Sequence, residues 1–160
     1  MNRKALLLVL LLLAAGAVLA QESRPAPGLT LEAVKVDPAS PGPDTLCRLS
    51  VTVKSAGAKT ASALGFRVKV DGKELAVYGN ELFFKPVPAG GTVEIRLHNF
   101  WSSETDRPFP AGGRMTVEVT LAEARWMDVK TENGAEVWTP AGAVEGLPVS
   151  KSVTLTLPKR

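Results

Sequence analysis

The chain has 160 residues, one histidine and one cysteine, with 19 Lys plus Arg against 16 Asp plus Glu. A set of Cys and His ligands for structural zinc is excluded by those counts, and so is an internal disulfide. Arg3 and Lys4 belong to an N-terminal segment expected to be cleaved, which leaves 17 basic against 16 acidic residues. A net charge of +1 gives no electrostatic case for nucleic acid as a partner.

Asn2, Arg3 and Lys4 precede an unbroken apolar run from Ala5 to Leu13, and Val18-Leu19-Ala20 ends on a small residue before Gln21. This order predicts a secretory signal peptide over residues 1–20, the rival reading being an uncleaved N-terminal anchor. A lipoprotein would carry cysteine where Gln21 stands, so the expected location is secreted or periplasmic without a lipid. No later segment is apolar for long enough to span a bilayer, so no membrane span is expected after cleavage. Residues 21–28 are rich in proline and form an extended leader, and 29–158 is the length of one domain.

From Leu29 onward the apolar period is two. Leu29, Leu31, Val34 and Val36 mark a first strand that ends at Asp37-Pro38. After the turn-rich "DPASPGPD", Cys47, Leu49, Val51 and Val53 alternate with Arg48, Ser50, Thr52 and Lys54. This phase points Cys47 inward as a small apolar filler, against the alternative of a reactive thiol. In "LGFRVKV", Phe66, Val68 and Val70 share a face, and Asp71-Gly72 predicts a hairpin back onto "KELAVYG". "ELFFKPV" contains Pro86 and suits an edge. Val93, Ile95 and Leu97 form the next inward set, then Met115, Val117, Val119 and Leu121, and last Val153, Leu155 and Leu157. Asn133-Gly134 predicts a type I′ hairpin pairing Glu132 with Ala135 and Val129 with Trp138. No stretch has a helical apolar stripe.

Short strands with one apolar face each must cover one another in pairs of sheets. The expected fold is all-β, a single-domain antiparallel β-sandwich of about seven to nine strands, with a closed barrel as second choice.

The candidate sites lie in two places. "HNFWSSETDRPFPAGG", residues 98–113, holds the lone histidine without strand periodicity. A hydrolase would need Ser102 or Ser103, His98 and Asp106 to act together, yet all four fall within nine positions of one loop and lack the nucleophile-elbow pattern. No enzymatic activity is therefore expected. Glu104, Asp106, Asp128, Glu132 and Glu136 are scattered acids without calcium-loop spacing, so neither metal nor other cofactor is expected. The aromatic residues Phe100, Trp101, Phe109, Trp126 and Trp138 are the candidate binding residues, since flat apolar side chains bury area at little entropic cost. Trp101 and Phe109 have the alternative role of capping the open end of the sandwich.

The segments "VTVKSAG", "FRVKVDGK", "VPAGG" and "FPAGG" together resemble the CARDB-type domains, immunoglobulin-like modules of bacterial and archaeal surface proteins. The matching positions are Val51, Val53, Lys54 and Gly57, then Phe66, Val68, Val70, Asp71, Gly72 and Lys73, then Pro88, Ala89 and Gly90, and finally Pro110 and Gly112. The resemblance spans residues 29–122. Ser55 replaces the usual asparagine, and the Trp126–Trp138 hairpin replaces the family's acidic closing stretch. The resemblance implies that the sandwich is immunoglobulin-like and serves as a cell-adhesion or spacing module whose partner is an envelope protein or a surface polymer. A small-ligand or carbohydrate-binding module built on the tryptophans is the alternative.

Overall fold

A computed structural model describes residues 26–78, 81–103 and 113–158. The predicted signal peptide, most of the leader, Phe109, Glu104 and Asp106 lie outside the described residues.

The strands run β1 (Leu29–Asp37), β2 (Leu46–Ser55), β3 (Thr60–Val70), β4 (Lys73–Glu74), β5 (Leu82–Phe83), β6 (Thr92–Arg96), β7 (Phe100–Trp101), β8 (Arg114–Glu132), β9 (Ala135–Ala143) and β10 (Val149–Thr156). One sheet has the order β1-β2-β6, with β7 also on β2; the other runs β10-β8-β3-β4, with β5 on β3 and β9 on β8. All pairings are antiparallel. The expected all-β antiparallel sandwich is therefore observed. Ten strand segments occur among the described residues, more than seven to nine, because the edges are broken into short pieces.

The inward residues read from the sequence form one core. Leu29, Cys47, Leu49, Val51, Val53, Phe66, Val68, Val70, Ile95, Met115, Val117, Val119, Leu121 and Leu155 are all buried in a single cluster. Burial raises the Cys47 thiol to about 11, in keeping with its role as an apolar filler. The spacing of Leu31 to Val34 is odd in a period-two strand. A register shift between Leu31 and Ala33 accounts for it, because the extra residue restores Val34 and Val36 to the inner face.

Two expectations change. "KELAVYG" pairs only through Lys73 and Glu74, after which Ala76–Tyr78 forms a 3₁₀ turn. Leu75 and Tyr78 are both buried, and their separation by three residues is the 3₁₀ repeat rather than the strand repeat. The Tyr78 hydroxyl donates to the His98 carbonyl at 2.6 Å, which ties this turn to the end of β6. Secondly, the Met115 strand and the Trp126 hairpin are not separate elements. They are one 19-residue strand, β8.

Within β8 the labour is divided. Residues 114–121 pair with β10 on one side, and the segment 117–127 pairs with β3 on the other. From Arg125 to Glu132 it pairs with β9. β3 contributes no partner beyond Met127, so the tip of the β8–β9 ladder is a two-stranded arm projecting past the sandwich.

Candidate interaction surface

The arm closes as the sequence predicts. Glu132 pairs with Ala135 and Val129 with Trp138. Asn133 and Gly134 have φ of 51° and 80°, the two left-handed residues that a type I′ turn requires. Because cross-strand partners share a face, Met127, Val129, Trp138 and Pro140 lie on one side of the ribbon, and Lys130 and Val137 on the other. Val129 is 41% and Val137 39% exposed, and Trp138 is half-buried, its indole N–H donating to Glu136 at 3.2 Å. Asp128 is held by Lys59 at 2.8 Å. Glu132 and Glu136 are exposed near the tip, and no group of three or more His, Cys, Asp or Glu side chains able to hold a metal occurs among the described residues.

Trp126 stands at the root of the arm and has a different setting. Its indole lies against the backbones of Gly28 and Gly57. A Cβ on either would sit 2.6 Å or 2.3 Å from the nearest ring carbon, so only glycine allows this approach. The indole N–H donates to Glu145 Oε2 at 3.1 Å. That hydrogen bond, reinforced by one to the Glu145 backbone, lowers the carboxyl's pKa. Half-buried and packed on the core, Trp126 closes the end of the sandwich where β1 and β2–β3 turn.

Phe100 and Trp101 are adjacent in β7 and point to opposite faces. Phe100 is fully buried, whereas Trp101 is 47% exposed and pairs across the strands with Leu46, itself 43% exposed. The two make an apolar spot on the outer face of the smaller sheet. The Trp101 indole N–H has no partner among the described residues. Leu46 went unremarked in the sequence because it precedes Cys47 in the outward phase, where an isolated leucine is ordinary. Phe84 was likewise passed over, although at 71% it is more exposed than those four apolar side chains.

Two polar side chains of the 98–113 stretch, Ser102 and His98, have structural partners. The Ser102 hydroxyl is buried, donates to the Gly42 carbonyl at 2.8 Å, and accepts the Thr45 N–H at 2.9 Å. His98 pairs with Glu81 and lies tilted against the rings of Tyr78 and Phe83. Ser102 thus fastens the loop before β2 to the end of β7, and His98 fastens the end of β6 to the β5 segment.

Among the described residues no helix is long and apolar enough to cross a membrane. No family model and no curated protein matches this sequence.

Proposed function

We infer that this chain is a secreted or periplasmic, non-enzymatic immunoglobulin-like interaction module of the bacterial envelope, and that it grips a partner protein through the β8–β9 arm. The observation that carries this reading is the arm itself. A two-stranded ribbon without a third strand is at best marginally stable in water, yet this one holds Val129 and Val137 in solvent on opposite faces, with Trp138 beside Val129. A partner that covers those faces removes apolar surface from water and supplies the packing that the ribbon lacks. The resemblance to CARDB-type domains supports the same reading, since the sandwich then serves as a rigid stand for the loops and hairpins at its ends.

A photo-reactive side chain introduced at position 137 tests this in native envelopes. One discrete protein adduct is expected, absent when the probe stands at position 154 on the sheet and absent when Trp138→Asp accompanies it. Adducts of equal yield from positions 137 and 154 would overturn the reading. The alternative, a carbohydrate-binding module, is favoured by one observation of its own: the exposed Trp101–Leu46 pair on the sheet face.

A further inference from the structure

The outer face of the smaller sheet carries more than that apolar pair. Along β2 the outward residues are Leu46, Arg48, Ser50, Thr52 and Lys54. Register then places Asp37 beside Arg48, and both Lys35 and Arg96 beside Ser50 on its two sides. The small serine between two long cations makes the floor of a groove of about 380 Å³, and Lys85 closes it from the segment after β5. This volume lies in the range of small-molecule sites.

Charge in the groove is unbalanced. Lys35, Arg48, Lys85 and Arg96 face only Asp37 and Glu94. Both carboxylates are engaged, Glu94 by the Ser50 hydroxyl at 2.7 Å and Asp37 by Arg48 at 3.5 Å. The Lys85 ammonium is anchored on the Glu94 carbonyl at 2.6 Å, which fixes it over the edge. Lys35 and Arg96 have no ion pair with any described residue. Four cations against two carboxylates leave the groove with two excess positive charges, and Lys35 and Arg96 flank Ser50 on its two sides.

Leu46 lies two residues from Arg48, so the Trp101–Leu46 platform begins about 7 Å from the groove along the strand. An indole face bound to a cation-lined groove accommodates a ring with an axial apolar face and an acidic substituent. The geometry assigns this face to an acidic polysaccharide: a sugar stacks on Trp101, and the carboxylate or sulfate groups of the chain bind Arg48, Lys35 and Arg96. A guanidinium suits either oxyanion through its parallel N–H donors, and the indole N–H of Trp101 can donate to a ring hydroxyl. This inference rests on the carbohydrate reading and is independent of the arm.

Binding of the mature chain to polygalacturonate, dextran sulfate and neutral dextran, followed by calorimetry, tests it. Binding to at least one acidic polymer and not to neutral dextran is expected, and a comparison of the two distinguishes carboxylate from sulfate. Lys35→Glu with Arg96→Glu should weaken it at least tenfold, and so should Trp101→Ala, with melting temperatures near that of the parent. Arg67→Glu with Lys69→Glu makes the same charge change on the opposite sheet and should leave it within twofold. Equal loss from that control would overturn the site in favour of nonspecific attraction. Binding to neutral dextran that depends on Trp101 would sink the acidic ligand and keep the carbohydrate reading. Polyglutamate bound as tightly as the polysaccharides, or no binding at all, sinks both.

Discussion

Gly57→Ala tests whether Trp126 is a structural cap. Gly57 has no positive φ, so alanine is acceptable to the backbone and only space decides the outcome. The new Cβ would lie 2.3, 2.8 and 2.9 Å from three carbons of the indole ring. Carbon atoms at rest stand about 3.5 Å apart or more, so the ring must retreat by about 1.2 Å, the difference between 3.5 Å and 2.3 Å. Retreat is obstructed, because the same ring also lies close against Gly28 and is tethered to Glu145. Overpacking of this kind costs about 1–3 kcal/mol, or roughly 4 °C of melting temperature for each kcal/mol in a domain of this size. Urea unfolding followed by circular dichroism measures it, and the change should appear in the midpoint rather than in the slope. In a Trp126→Ala background the obstacle is gone, so Gly57→Ala should then cost less than about 0.5 kcal/mol. A cost of less than about 0.5 kcal/mol in the parent chain, or an equal cost in both backgrounds, would refute the packing argument.

Further outcomes follow from the same contacts. Ser102→Ala leaves the part-buried Thr45 N–H without its acceptor and should destabilise the domain by about 1 kcal/mol, seen as an earlier urea midpoint. Gly134→Ala forces a side chain into a φ of 80° at the tip of the arm; faster amide exchange confined to Val129–Trp138, with an unchanged global midpoint, is the expected result. Cys47 should resist a thiol-reactive probe at pH 8 until the domain is unfolded. Burial holds its folded pKa at about 11, above the ordinary 9.0, so the thiol's contribution to stability is complete below pH 9 and is lost as pH rises toward 11. The stability difference between the parent and Cys47→Ala should therefore be constant below pH 9 and shift against the parent between pH 9 and 11.

Much of the fold was legible because a period of two leaves few choices. Met115, Val117, Val119 and Leu121 could face only one way once one of them faced inward, and all four are buried. The Asn133-Gly134 dipeptide fixed the arm's register to the residue, since a two-residue turn admits one alignment of its flanking strands. The length of β8 was not legible. Between Leu121 and Ala124 the inward spacing changes from two to three, as does the register with β3 between Gly65 and Phe66, and a break in phase reads in sequence as the end of a strand. The 3₁₀ turn at Ala76–Tyr78 was hidden because two apolar residues three apart are too few to display a period.

The candidate site was only half legible for a related reason. A tryptophan can be found in sequence, but its exposure depends on what lies across the sheet. Trp126 meets two glycines from distant segments, Trp101 pairs with an outward leucine, and Trp138 pairs with Val129 of its own ribbon. The groove of Lys35, Arg48 and Arg96 needs three strands in register before the cations are neighbours. Nothing in the local pattern around any one of them distinguishes it from the usual charged defence of an outer sheet face.

The continuity of β8 has a mechanical consequence. The strand that forms half of the arm is also the strand held between β3 and β10 in the body of the domain. A pull on the arm along its own axis is therefore carried by the same backbone into the middle of the larger sheet, where it loads the flanking ladders in parallel. A tug across that axis would instead open the β8–β9 rungs one at a time from the turn. The domain should accordingly hold far better against tension directed along the arm than against tension directed sideways, a property that suits a link between two bodies under strain.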